Sequence, residues 1–527
     1  MPLLVALPLA GGFLMPIVGR LTKSHRAAAA LPIAIACASL AIAVALLGRP
    51  DETIVYWLGG WSFPVGISMV IDGLSRLILI IIAAVSLLAL VFSMDYMKHY
   101  TSPGLYYGLF LLMLTGMNGV VVSGDLFNMF VFLEIAGIAS YALVAFGTEA
   151  DELEASLKYM VLGVIASTFI LVGIALMYNV TGHLNWAKVA EVLGTASGAG
   201  LSLPMYVVAA LFFMGFGLKA AMVPFHAWLP DAHPSAPAPI SAMLSGVLIK
   251  ASGVYVLCRL AFSVLGSHQT FGTLLVVLGT LSMVLGALMA IGQGDLKRLL
   301  AYSSISQVGY VVVAVGAGLV GFAWAKDSPA VAAAATLVVF GGLFHLMNHA
   351  VFKSLLFLCS GSIEQATGTR QLDQLSGLGR QMPVTGWTLR IGALAISGVP
   401  PFGGFWSKFF IIVGLVQLAA QGHWAFYIPA VLAVATAAVT LVYYAKVQRS
   451  VLGGEPSDAA RGAREAPVGM CVATVALAVL CLATALVIFP TVRARLVDPA
   501  VRVLSVRVSE DRPAAAGPTV AREGAVR

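Results

Sequence analysis

Seven ionisable side chains, one glutamate, four lysines and two histidines, sit in apolar stretches, and their types are those that pass protons. Glu134 lies in Asn128-Met129-Phe130-Val131-Phe132-Leu133-Glu134-Ile135-Ala136-Gly137, and Lys219, Lys250, Lys353 and Lys408 are similarly placed. At ~2.5–3.5 kcal/mol per charge held at mid-membrane, these five would together cost roughly 12–18 kcal/mol if left charged and alone. They must be paired, hydrated or neutral. Burial favours the neutral amine and a neighbouring carboxylate favours the ammonium, so a row of such lysines can hand protons along. His345, His349 and Lys353 follow one another at i, i+4 and i+8, which puts all three on one helix face. Imidazole donates and accepts near neutral pH, which suits a relay.

Plainer readings compete with each of these. Glu134 can be a structural ion-pair partner, and Lys353 can snorkel if its helix breaks early; Lys219 and Lys250, with apolar sequence on both sides, are harder to explain that way. The histidine pair has metal-ligand spacing but lacks the glutamate of H-E-x-x-H and a carboxylate to complete a ligand set, so no metal is expected. Asp125 and Asp295 read as helix N-caps. His226 and His233, in Pro224-Phe225-His226-Ala227-Trp228-Leu229-Pro230-Asp231-Ala232-His233-Pro234, fit a membrane exit with Trp228 in the aromatic belt. They are candidates for proton intake, although a satisfied interfacial histidine is the commoner arrangement.

The elements that must position these residues follow from composition. Only 10% of the 527 residues are charged and 60% are hydrophobic, with a mean hydropathy of +0.96, against about 25% charged in soluble domains. That balance requires most of the surface to face lipid and excludes a secreted domain, a disordered chain and a soluble enzyme. The net charge of +7 rests largely on arginines in short loops and the C-terminal tail, so no nucleic-acid partner is read from it. The five cysteines, Cys37, Cys258, Cys359, Cys471 and Cys481, are far apart in apolar stretches, without a C-x-x-C, and read as small core residues. No haem, flavin or iron–sulfur ligand set is visible, so no cofactor is expected and any redox chemistry would belong to partner subunits.

Apolar runs long enough to cross a hydrocarbon core of ~30 Å fall near 3–19, 27–48, 74–98, 104–123, 125–147, 153–180, 201–229, 238–265, 271–292, 298–319, 329–363, 384–420, 425–447 and 468–490. The expected fold is an all-α polytopic membrane protein of about fourteen transmembrane helices. The runs at 329–363 and 384–420 are long enough to contain a break. The first run has no basic residues ahead of it and reads as a retained helix rather than a cleaved signal. Loops after odd-numbered spans carry most of the lysines and arginines, Arg20, Lys98, Lys158, Lys297, Arg298 and Arg370 among them, whereas those after even-numbered spans carry few. The positive-inside rule then makes the first group cytoplasmic and leaves both termini outside, with Arg493, Arg495, Arg502 and Arg507 as the exception. The tail from Asp498, rich in Pro, Ala, Gly and Arg, reads as disordered.

Two segments break the helical pattern around a lysine: Gly215-Phe216-Gly217-Leu218-Lys219-Ala220-Ala221-Met222-Val223-Pro224 and Ser397-Gly398-Val399-Pro400-Pro401-Phe402-Gly403-Gly404-Phe405-Trp406-Ser407-Lys408. Paired interrupted helices in corresponding halves point to an ion site, because freed backbone groups are tolerated only beside a water-filled cavity. The organisation expected is helices one to three over 1–100, a repeat over 104–265 (spans four to eight), a second over 271–447 (spans nine to thirteen), a last helix at 468–490 and a hydrophilic tail over 491–527.

At these residues the sequence resembles the antiporter-like membrane subunits shared by respiratory complex I, the Mrp cation/proton antiporters and the membrane-bound energy-converting hydrogenases. The likeness runs over roughly 60–450. It is carried by Asp125 to Glu134, Lys219 through Pro234, Ser241 to Tyr255, Asp295 through Tyr310 and His349 to Leu358. The resemblance implies fourteen helices with two inverted five-helix repeats, each containing a broken helix. It matches Glu134 to the family's fifth-helix glutamate, Lys219 to the lysine of the first broken helix, and Lys250 to the eighth-helix lysine. His345 and His349 match the central histidines and Lys408 the ionisable residue of the second broken helix. A lysine at 408 argues against the M type of complex I subunit, and the hydrophilic end from Asp498 argues against the L type. Motif style favours the Mrp D-like or hydrogenase-associated types over the N type.

The function expected is proton translocation within a multi-subunit complex of a bacterial inner membrane, through Glu134, Lys219, Lys250, His345, His349, Lys353 and Lys408. Whether sodium is exchanged is left open, because a cation site needs several oxygen ligands and only one mid-span carboxylate is visible. The alternative is an assembly or energy-coupling subunit of a complex I-like, hydrogenase or inorganic-carbon uptake system with no path of its own.

Overall fold

A computed structural model describes residues 1–22, 24–100, 102–196, 202–325 and 328–505. Thirteen helices among the described residues are long and apolar enough to cross a membrane, and the shorter apolar helix Leu203–Lys219 makes the fourteenth span. The fourteen follow the expected order. The described chain is helical apart from connections and one hairpin, Ile54–Trp57 paired antiparallel with Ser68–Ile71, which the hydropathy pattern did not reveal.

Both expected breaks are present. The seventh span stops at Lys219, turns through Ala221 with a positive φ of 54° and resumes as the short helix Leu229–Ser235. Freed backbone groups find side-chain partners: Val223 N–H donates to Ser282 Oγ at 2.9 Å and Trp228 Nε1 donates to the Leu218 carbonyl at 3.0 Å. The twelfth span is split into Pro383–Ser397 and Gly403–Ala420, with Gly398 left-handed at φ 78° between them. The long eleventh run is not broken. Pro329–Thr367 is one helix of 39 residues, because nothing between Val331 and Thr367 is a proline and its glycines keep helical dihedrals.

The same local arrangement occurs twice. Asp125 caps Leu126–Val144 and bridges to Asn185; Asp295 caps Leu296–Trp324 and bridges to Gln371. The sixth and eleventh spans both end on a left-handed glycine, Gly182 at φ 70° and Gly368 at φ 71°. Fifth and tenth, sixth and eleventh, seventh and twelfth spans thus correspond in order.

Several expectations need correcting. The tail is helical over Pro490–Leu496 and Asp498–Ser505, and the latter buries Pro499, Ala500, Val501 and Leu504; residues 506–527, which include Arg507, lie outside the description. Its apolar positions recur with helical spacing, which the bulk composition concealed. Cys37 is exposed and Cys471 only partly buried, since both lie on helices at the lipid-facing periphery.

Candidate functional site

At one end of the site Glu134 and Lys219 form an ion pair across the fifth and seventh spans, 3.6 Å apart, with Glu134 about a quarter exposed and Lys219 buried. Ser167 Oγ donates to the carboxylate, and the Lys219 ammonium lies 3.5 Å from the Tyr141 hydroxyl. Tyr141 meets Tyr159 edge-on and Tyr159 stacks on Trp228 at 4.2 Å. This aromatic wall accounts for Trp228, which is buried rather than belonging to an interfacial belt. Gly163 makes the arrangement possible: a Cβ there would stand 1.9 Å from the Tyr141 hydroxyl.

At the centre Lys250 sits on the eighth span, whose stretches Leu244–Leu248 and Lys250–Tyr255 are π-helical. Lys250 Nζ donates to the Ser245 carbonyl, five residues earlier on this widened helix. His345, His349 and Lys353 share one face of Pro329–Thr367 as their spacing required, and all three are fully buried. His345 Nδ1 is 2.9 Å from Ser407 Oγ, and its ring lies parallel to that of His349 at 6.4 Å. Lys353 does not snorkel; it donates to the Leu300 carbonyl at 2.7 Å and lies 3.4 Å from the Tyr444 hydroxyl. Lys408 closes the far end, donating to the Ile396 carbonyl left open by the second break at 2.8 Å and lying 5.0 Å above the Tyr310 ring.

The fold brings most of these groups into electrostatic contact. His349 interacts with Lys250, Lys353, His345 and Lys408, and His345 with Lys408 and Lys250. The Glu134–Lys219 pair stands apart from this cluster. Between Lys219 and the Lys250 helix lies a cavity of about 10 Å³, lined by Lys219, Trp228, Ile249 and Ser252 among others, a volume near that of one water.

His233 and His226 diverge. His233 is fully buried against Phe357, neither ring nitrogen has a protein partner, and it interacts with Lys353, Lys297 and Lys250, so it is not an interfacial histidine. His226 is half-buried beside Pro224, outside the cluster.

Four buried charges held in ion pairs escaped the sequence reading. Lys297, a loop charge by its place in the sequence, is 2% exposed. Arg259 and Asp72 form a buried pair joining the eighth span to the start of the third, and Asp95, inside the third span, takes both Arg26 and Lys98. Each lies within a turn or two of the end of an apolar run, where a charge reads as a loop residue; only an opposite charge at the matching depth of another span could have signalled the pairing.

Residues 123–435 match the family model described as the transmembrane region of NADH:quinone oxidoreductase and Mrp antiporter subunits, and residues 57–107 match that of the complex I chain 5 N-terminus. The chain is 35% identical to the N subunit of NADH-quinone oxidoreductase of Desulforudis audaxviator over 89% of this chain and 88% of that one. It is 34% identical to the D subunit of the Na(+)/H(+) antiporter of Alkalihalophilus pseudofirmus over 68% of each. These near-equal identities do not separate the N-like from the D-like type. Among solved structures, a chain of the Mrp complex from Dietzia sp. DQ12-45-1b superposes with a TM-score of 0.83 at 26% identity, covering 96% of this chain and 97% of that one. The chain belongs to the NADH:quinone oxidoreductase/Mrp antiporter family of transmembrane subunits.

Proposed function

We propose that this chain is a proton-translocating subunit of a multi-subunit membrane complex, and that protons move along Lys219, Lys250, the His345–His349–Lys353 face and Lys408, with Glu134 setting the proton affinity of Lys219. The observation that carries this reading is the central cluster: three lysines and two histidines, all buried inside fourteen spans, with Lys250 and Lys408 acting electrostatically on both histidines and Lys353 on His349. Buried amines held mainly by carbonyls rather than carboxylates can lose and regain protons at low cost. A structural ion-pair network would instead pair each charge with its opposite.

The duplicated caps and breaks support two five-helix repeats, 104–265 and 271–447, in inverted orientation. The loop charges support a cytoplasmic position for the loops after odd-numbered spans, with both termini on the outer side of a bacterial inner membrane. Complexes containing the named relatives support other membrane subunits as partners, and sodium as the cation to test for exchange.

Replacing Lys219 by Ala in the full complex should leave assembly intact and abolish proton-coupled transport in inverted vesicles. Wild-type transport by the assembled variant would overturn the reading.

A further inference from the structure

A polar vestibule of about 560 Å³ opens where the loops following the fifth, seventh, ninth and eleventh spans meet, lined among others by Glu149, Asp231, Lys297, Glu364 and Arg370. Lys297 belongs to it yet is almost wholly buried; its amine donates to the Ala236 carbonyl at 3.1 Å and stands 2.8 Å from Glu364 Oε2. Glu364, about a quarter exposed, turns its other oxygen to Arg370 at 3.3 Å, and Arg370 is held in turn by Asp295 at 3.1 Å. One carboxylate therefore bridges a surface guanidinium and a buried amine. Inward of this pair, His233 is fully buried with no protein partner at either ring nitrogen and interacts electrostatically with Lys297, Lys353 and Lys250. Glu364 lies eleven residues, about three helical turns, beyond Lys353 on Pro329–Thr367, so both occupy one face of that helix.

The geometry points to Lys297 and Glu364 as a gate through which protons pass from the vestibule to His233 and on to the central lysines; this rests on the proton path proposed above. In each passage the Lys297 ammonium gives its proton inward, by way of an intervening water, to the neutral imidazole of His233, leaving an amine and an imidazolium. The Glu364 carboxylate takes a proton from the vestibule and delivers it to the Lys297 amine, which restores the ion pair. One proton has moved inward, and no electrons are exchanged. Arg370 holds Glu364 in place while Lys297 is neutral.

The test uses the assembled complex in vesicles. Lys297→Arg keeps a cation beside Glu364 but does not deprotonate, and Glu364→Gln keeps a hydrogen-bonding partner for Lys297 but accepts no proton. The gate predicts that both variants assemble and that transport falls roughly 10²-fold, the scale of a lost proton-transfer group. A merely structural brace is rescued by arginine, so wild-type transport in either assembled variant overturns the gate. If Lys297→Arg does not assemble, Glu364→Gln decides alone. Lys250→Met separates the two ideas: normal transport there rejects the proton path itself, whereas loss there with normal rates in both gate variants rejects only the gate.

Discussion

Neither ring nitrogen of His349 has a protein partner, although the side chain is fully buried and Lys250, Lys353 and Lys408 all act on it. A histidine kept for stability would give its nitrogens partners, because an unsatisfied buried polar atom costs ~1–3 kcal/mol. His349 loses no protein hydrogen bond when replaced, so His349→Gln should keep the thermal midpoint of the complex within a few degrees while transport falls roughly 10²-fold. A stable variant that still transports at the wild-type rate refutes a relay through this ring. The central residues were legible in the sequence because an ionisable residue amid apolar neighbours is visible without knowing its contacts. Their partners were not: the Ser245, Leu300 and Ile396 carbonyls that hold Lys250, Lys353 and Lys408 are backbone atoms and leave no compositional trace.

Each lysine at a break is tied to the geometry of that break. In the twelfth span the two halves approach so closely that a Cβ on Gly404 would stand 1.9 Å from the Ala395 carbonyl oxygen, while Lys408 reaches back to the Ile396 carbonyl. The obstructing atom is backbone and cannot swing aside. Gly404→Ala should therefore push the halves apart, break the Lys408 contact and lower both transport and thermal midpoint, whereas Gly462→Ala, at a position open to space, serves as a control for handling. Unchanged transport in Gly404→Ala is inconsistent with a break that positions Lys408. The breaks could be read from Gly and Pro beside a lysine, since those residues act through the local backbone. The π-helical course of the eighth span could not, because no residue type in Ser241 to Tyr255 marks a widened turn, and the uninterrupted Pro329–Thr367 shows that length alone is a poor guide to a break.

Across the whole molecule, the spans are held together by contacts the hydropathy pattern leaves unseen. Asp72, just ahead of the third span, pairs with Arg259 of the eighth and accepts from Ser75 N–H at 3.0 Å; Arg259 Nε donates to Tyr255, whose hydroxyl reaches the Val121 carbonyl of the fourth span at 2.7 Å. The helix Asp498–Ser505 packs over this junction, with Pro499 against Gly73 so closely that a Cβ there would meet it at 2.3 Å. The described part of the tail is therefore a lid on a buried ion pair. Burial pushes the Asp72 carboxyl upward, but the Arg259 guanidinium and the Ser75 hydrogen bonds outweigh it and hold the group below its ordinary range. A carboxyl lowered on folding contributes stability that is complete above its unfolded value of ~3.9 and is lost as pH falls through the lower folded value. Asp72→Asn strands Arg259, which should cost about 3–5 kcal/mol near neutral pH. The gap between wild type and variant should then narrow as the medium is acidified below about pH 4, because the wild type loses the same pairing by protonation. Thermal unfolding of the purified complex from neutral to acid pH measures that gap, and a constant gap would show that Asp72 carries no charge-dependent stability.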